Sequence, residues 1–168
     1  MRRYLHLASL GFALALALSA GAASAEVTYG IEVRGEVAFT DPVRGGPTGA
    51  MSIGYAADTY PLLIVPEVVV SAGVWPDEVP VIPFRAMAGA RFGLTTVVEP
   101  AVFLHLGYGF LARDEDLTHG FAIESGVSVD GRIRREVTLG GALGYQGFVS
   151  ELPAHGMFAA FRFAVWFD

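Results

Sequence analysis

An all-β chain closed as an antiparallel, up-and-down, eight-stranded transmembrane β-barrel is the fold this sequence predicts. Three observations carry that reading. Residues 157–167 alternate two faces with a period of two, as a strand does. Met157, Ala159, Phe161, Phe163, Val165 and Phe167 point one way, and Phe158, Ala160, Arg162, Ala164 and Trp166 the other. The chain is 53% hydrophobic, yet after residue 25 no apolar run approaches the roughly 18 residues of a spanning helix. High hydropathy without such a helix leaves strands to cross a membrane, and only a closed sheet leaves no unpaired edge in lipid. Finally, Arg2 and Arg3, the apolar run 5–18 and the small residues Ala23-Ser24-Ala25 read as a cleaved export signal over residues 1–25. An uncleaved anchor is the alternative, but Ser19, Gly21 and Ser24 interrupt the run early. The barrel is then one domain, residues 26–168.

Eight alternating segments follow, separated by turn chemistry. The first, 27–39, places Val27, Tyr29, Ile31, Val33, Val37 and Phe39 on one face and is broken by Asp41-Pro42 and Gly45-Gly46-Pro47. The second, 48–56, carries Met51, Ile53 and Tyr55; the third, 62–74, carries Ile64, Val68, Val70, Ala72 and Val74. After the loop Trp75-Pro76-Asp77-Glu78-Val79-Pro80, the fourth, 83–92, sets Phe84, Ala86, Ala88, Ala90 and Phe92 against Arg85, Met87, Gly89 and Arg91. The fifth, 98–111, aligns Val102, Leu104, Leu106, Tyr108 and Phe110, and Arg113-Asp114-Glu115-Asp116 forms a solvated tip. The sixth, 120–129, carries Phe121, Ile123, Val127 and Val129 and ends at an Asp130-Gly131 turn. The seventh, 137–147, carries Val137, Leu139, Leu143 and Tyr145, and a loop through Pro153 leads to the closing strand.

The opposite faces hold the charge: Glu32, Arg34, Glu36, Glu67, Arg85, Arg91, Glu99, His105, Glu124 and Arg162. Five Glu against four Arg is close to neutral, which suggests ion pairs rather than a field for a ligand. Small residues such as Gly30, Ser52, Gly89, Gly107, Gly126 and Gly144 share that face. Paired charges and small side chains suit the cramped lumen of an eight-stranded barrel. An Arg facing the bilayer midplane costs about 2–4 kcal/mol, whereas one inside finds a counterion. Ten residues at about 3.3 Å each, tilted by about 45°, span roughly 23 Å, close to the apolar band of such barrels. Tyr29, Phe39, Tyr55, Phe84, Phe92, Tyr108, Phe121, Tyr145 and Phe167 fall towards strand ends, as interfacial girdles do. Ordinary strand propensity explains the same positions.

Composition narrows the partners. Cysteine is absent, which excludes a disulfide framework and a thiolate metal site. All eleven basic residues are Arg, and without residues 1–25 nine Arg face seventeen acids, a formal charge of −8. That balance disfavours nucleic acid or another polyanion.

Taken together, the export signal, eight strands, inward Glu/Arg set and aromatic closing strand resemble the small outer-membrane barrels of the OmpA/OmpX type over essentially all of residues 26–168. The resemblance implies an outer-membrane location, contact with outer-membrane lipid and lipopolysaccharide, and delivery to the barrel assembly machinery through the C-terminal strand. In that family an aromatic is usually the final residue; here Asp168 follows Phe167. The family's periplasmic extension is expected to be missing. Both termini would be periplasmic, with short outer loops at 40–47, 75–82, 112–119 and 148–155. Residues 75–78 are the best exposed candidate for contact, or else Trp75 anchors at headgroup level.

Enzymatic readings fare poorly. A lipid-A-modifying barrel needs a Ser nucleophile, a His base and an orienting acid. His119 and Ser125 share a face six residues apart while Glu124 faces the other way, and only a bulge would rescue that geometry. Glu67, Glu99 and Glu124 with His105 offer donors to a divalent metal, but neighbouring Arg compete through stronger forked pairs. The expectation is a structural network with no cofactor and no metal. The glycines of Leu139-Gly140-Gly141-Ala142 lie inside a strand and cradle no phosphate. A diffusion pore is not expected, because paired charges fill so narrow a lumen. The expected role is therefore non-enzymatic, in envelope structure or surface interaction. Alternation alone leaves the choice of inner face open. The rival is a soluble periplasmic, lipocalin-like barrel with Val, Leu and Phe inward around an apolar ligand.

Overall fold

The computed structural model describes residues 25–40, 42–114, 116–150 and 153–167. Residues 1–24, on which the expected export signal falls, and Asp41, Glu115, Glu151, Leu152 and Asp168 lie outside the described residues. Eight strands run in chain order: β1 (Ala25–Ala38), β2 (Arg44–Thr59), β3 (Leu62–Gly73), β4 (Val81–Leu94), β5 (Val98–Arg113), β6 (Asp116–Arg134), β7 (Val137–Val149) and β8 (Ala154–Phe167). Each pairs antiparallel with the next, and β8 returns to β1 to close the barrel. The closing ladder runs from Val27 opposite Phe167 to Ala38 opposite Gly156. Among the described residues no helix is long and apolar enough to cross a membrane.

Most strands are longer than the turn chemistry implied, β6 above all, although β3 ends one residue earlier, at Gly73. Gly45-Gly46-Pro47, expected to break the chain, lies inside β2. A Cβ on Gly46 would stand 2.2 Å from the Val74 carbonyl oxygen, so glycine there permits a close approach between backbones. Asp130-Gly131 is likewise no turn. β6 continues to Arg134, with a register shift between Arg132 and Arg134, and the reversal falls at Arg135-Glu136. Loops 39–43, 74–80, 114–115 and 150–153 gather at one end, called here the loop end. The opposite, terminus end holds the turns 60–61, 95–97 and 135–136 together with the start of β1 and the finish of β8. Asp114 takes the tight third loop with φ of 51°, a conformation that Asp tolerates better than most residues.

The two faces sort as the alternation predicts, and the structure settles which is inside. Val33, Met51, Val102, Leu104, Leu106, Val127, Leu143 and Phe161 are exposed on the outer wall. Tyr29, Phe39, Tyr55, Phe92, Tyr108, Phe121, Tyr145 and Phe167 are exposed there too, and Phe84 is half-buried against Phe110 in a stacked pair. Phe158, Ala164 and Trp166 of the closing strand are buried. Charged groups point inward and bulky apolar ones outward, which overturns the inverted, apolar-ligand barrel.

Apolar side chains fill the gaps that the charges leave. Ala50, Val69, Met87 and Ala122 form one buried cluster. Phe103, Ala142 and Phe158 form another, and Ala56, Leu63, Val65 and Trp166 a third. The interior is thus a packed core of mixed polarity, as a barrel of this strand number requires.

The face assignment predicts that Leu104→Arg places a charge in the apolar band at a cost of about 2–4 kcal/mol. The folded fraction in lipid vesicles, read from the gel shift between boiled and unboiled samples, should fall sharply. Normal folding of that variant would contradict the assignment.

Candidate functional site

The ten charged residues singled out from the sequence are all buried in the lumen. Eight ionisable groups close into a ring in which acid and base alternate, seven of them from that set. Arg34 on β1 donates through Nε to Glu32 at 2.9 Å and grips Glu124 of β6 with both terminal nitrogens, at 2.7 and 3.2 Å. Glu124 lies 3.3 Å from Nδ1 of His105 on β5, whose Nε2 lies 3.0 Å from Glu67 on β3. Glu67 accepts from Arg91 of β4 at 3.1 Å, and Arg91 reaches Asp130 of β6 at 3.3 Å. Asp130 accepts from Arg162 of β8 at 2.5 Å, and Arg162 Nε lies 3.3 Å from Glu32. Acid and base alternate around the whole circuit: Glu32, Arg34, Glu124, His105, Glu67, Arg91, Asp130, Arg162.

Period-two strands explain how six of them supply this ring, because each inward residue has inward neighbours directly across the ladder. His105 stands opposite Glu124 and Gly89. A Cβ on Gly89 would lie 1.9 Å from the Leu104 carbonyl oxygen and 2.8 Å from the His105 ring, so the imidazole occupies space that only glycine leaves free. Phe103 stacks on His105 at 5.4 Å between centroids, and the Arg34 guanidinium sits 4.5 Å over the Phe158 ring. These aromatic faces add cation–π attraction where water is excluded. His105 holds a position where the alternation calls for a cation, with both ring nitrogens aimed at carboxylate oxygens.

Glu36 forms a second centre nearer the loop end. It accepts both terminal nitrogens of Arg85 at 3.0 and 3.2 Å. It also accepts from Thr48 at 2.9 Å, Gln146 at 3.2 Å and the Trp75 indole at 3.3 Å. One carboxylate thus joins β1, β2, β4, β7 and the β3–β4 loop. At the terminus end Arg132 pairs with Glu99 at 2.9 Å and lies 5.2 Å over the Trp166 ring, whose Nε1 donates to Thr138 at 3.2 Å.

The sequence reading missed two groups here. Asp130, expected in a turn, links two Arg of the ring. Trp75, expected to be exposed or at headgroup level, is 2% exposed and caps the lumen against Ala38 and Val81. Trp166, placed on the Arg162 face from the sequence, seals the other end. Parity carried the signal for the two that were missed: Ser71, Gly73 and Trp75 share one, as do Glu124, Gly126, Ser128 and Asp130.

The chemical alternatives separate on the same geometry. His119 and Ser125 sit on one unbroken stretch of the β5–β6 ladder, roughly 20 Å apart at strand rise, so no bulge brings them together. Among the described residues no group of three or more His, Cys, Asp and Glu is placed to hold a metal. Glu99 stands apart from His105, paired with Arg132, and Glu67 and Glu124 are taken up by Arg and His.

Neither a protein-family model nor a curated protein sequence matches the chain. Solved structures do. Neisserial surface protein A (NspA) superimposes with a TM-score of 0.68 at 12% identity, covering 86% of this chain and 98% of that one. Ail, the attachment invasion locus protein of Yersinia pestis, in complex with the heparin analogue sucrose octasulfate, gives 0.54 at 9% identity over 85% and 98%. The outer membrane protein OprG from Pseudomonas aeruginosa gives 0.51 at 10% identity over 88% and 97%. All are small eight-stranded outer-membrane barrels, and this chain has their fold.

Arg91→Leu would take an Arg from two buried acids at once, leaving Glu67 with His105 and Asp130 with Arg162. Breaking a buried pair from one side costs about 3–5 kcal/mol, so the urea midpoint of the folded barrel should fall clearly. Adding Glu67→Gln to the same chain should recover part of that loss. An unchanged midpoint for Arg91→Leu would contradict the ring.

Proposed function

We propose that this chain is a non-enzymatic outer-membrane barrel with a sealed polar lumen, serving envelope structure or surface interaction rather than transport or catalysis. The closed ring of alternating charge carries the reading. It occupies the lumen with acids and bases that pair with one another, while the outer wall presents mostly apolar and aromatic side chains to lipid. In this reading residues 1–25 direct export and are removed. The outer wall contacts outer-membrane lipid and lipopolysaccharide, and β8 engages the barrel assembly machinery. The loop end faces outward from the cell and the terminus end faces the periplasm.

Charge at the loop end bears on the kind of partner. The loops and their flanks contain Asp41, Asp77, Glu78, Asp114, Glu115, Asp116 and Glu151. Arg44 and Arg113 both turn to Asp77, at 3.1 and 3.8 Å. A surface of that sign repels polyanions, so a sulfated ligand of the kind in the Ail complex does not suit it. A surface partner would be neutral or cationic.

Cell fractionation with heat-modifiability tests the location: the folded chain should stay with outer membranes and shift on boiling. Recovery in the periplasmic fraction without a shift would contradict it. In planar bilayers the purified barrel should show no sustained porin-type conductance, and a stable open channel would overturn the sealed lumen. Heparin resin at low salt should not retain the folded protein, and retention would contradict the polarity assigned to its loop end.

A further inference from the structure

The two ends of the lumen are closed by different means. At the terminus end Trp166, Thr138, Arg132 and Glu99 all belong to strands, so the seal is part of the sheet. At the loop end the seal is a short hairpin, 75–81, that carries β3 and β4 past the end of their shared ladder, with Val81 the first residue of β4. Trp75 and Val81 exchange two backbone hydrogen bonds, at 2.8 and 3.1 Å, around the tip 76–80. On the β3 side the Val74 amide ties the hairpin to the Pro47 carbonyl at 3.1 Å. Its indole packs on Ala38, Val81 and Leu111 and makes the longest of the hydrogen bonds to Glu36. On the rim, Asp77 clasps Arg44 and Arg113 through side chains 21–45% exposed, where water competes for each pair.

Beneath the indole lies a polar cup of Glu36, Thr48, Arg85 and Gln146, with Ser71 on the neighbouring strand position to Arg85. Ser71 Oγ and Gln146 Oε1 are buried without a hydrogen-bond partner, a cost that opening to water would relieve. Below the cup, the Arg34–Glu124–His105–Glu67 side of the ring bars the way, tied strand to strand.

We propose that the Trp75–Val81 hairpin is a releasable cap over a blind polar cup, so that the lumen opens from the loop end without becoming a pore. Asp77 and Glu36 are its two latches, one on the rim and one inside. The cap rests on the sealed-lumen reading, and the test separates the two.

The chain has no cysteine, so an introduced thiol is the sole target for a small charged thiosulfonate reagent. Gln146→Cys reports on the cup and Ser128→Cys on the lumen at the Arg91 side of the ring, where Ser128 accepts from Arg91 at 3.4 Å, each in the full chain folded in phosphatidylcholine vesicles. Folding is checked for every variant by the heat shift. Asp77→Ala should speed labelling of Gln146→Cys roughly fivefold, the scale set by two part-exposed ion pairs, and Trp75→Ala should speed it further. Ser128→Cys should stay slow in all three backgrounds. Equal labelling of Gln146→Cys with and without Asp77, or no gain on removing Trp75, would overturn the cap. Labelling of Ser128→Cys in step with Gln146→Cys would instead overturn the sealed lumen.

Discussion

Burying charge in a space too narrow for bulk water imposes the condition that the rest of the structure satisfies. Each ion taken from water costs several kcal/mol unless attraction and hydrogen bonds offset it. Eight ionisable groups near the middle of the lumen are therefore tolerable only as a set in which every acid meets a base. The circuit from Glu32 through His105 and back by Arg162 meets that condition, and a one-residue slip of any contributing strand would not. Slipping β6, for instance, would send Glu124 and Asp130 into the lipid-facing wall and take one acid partner each from Arg34, His105, Arg91 and Arg162. The ring thus specifies register as well as filling space. Its contribution is better seen as selection of one closed arrangement than as a large gain in stability, since buried pairs seldom exceed apolar packing of equal volume.

The remaining polar groups extend this logic to the strands outside the ring. Glu36 draws in β2 through Thr48 and β7 through Gln146, so those two strands are also tied to charge in the lumen. Both tryptophans face inward rather than lying in an interfacial belt, one at each mouth. Each uses its single donor, Trp75 on a carboxylate and Trp166 on a hydroxyl, as buried indoles normally must. Glycine sets the remaining spacing: the close approach at Gly89 makes room for the only lumen imidazole among the described residues. The apolar outer wall follows from the same alternation, because every inward polar residue has an outward neighbour free to be Val, Leu or Phe. Solved barrels at 12% identity or less share this fold, so their likeness extends to architecture and not to any one ligand.

Much of this was legible in the sequence because a strand's period is rigid. Eight strands, their two faces and the sharing of one face by the ten charged residues follow from counting by two, although which face is inside does not. What the period does not encode is which acid meets which base. Glu67 and His105 are 38 residues apart in the chain, and their meeting depends on how far the barrel staggers as it closes. Local turn chemistry misled at Asp130-Gly131 and Gly45-Gly46-Pro47, where the glycines serve strand interiors. Ile133 and Arg134 continue the β6 alternation past the supposed turn, and that longer pattern was the better guide. Trp75 was misplaced because a Trp beside prolines reads as a surface loop. Its parity with Ser71 and Gly73 points inward, and two backbone bonds to Val81 hold it there.

The circuit itself can be tested by coupling across it. His105 and Arg162 lie on opposite sides of the ring and share no direct contact. A double-mutant cycle of His105→Gln and Arg162→Met, read from urea unfolding in lipid vesicles, measures whether they act as one unit. Independent sites add to within about 0.3–0.5 kcal/mol, whereas members of one network deviate by about 0.5–3 kcal/mol. A closed ring predicts a deviation in the second range, because the first substitution already opens the circuit that the second would break. Strict additivity would contradict it, reducing the lumen to separate ion pairs that happen to be neighbours.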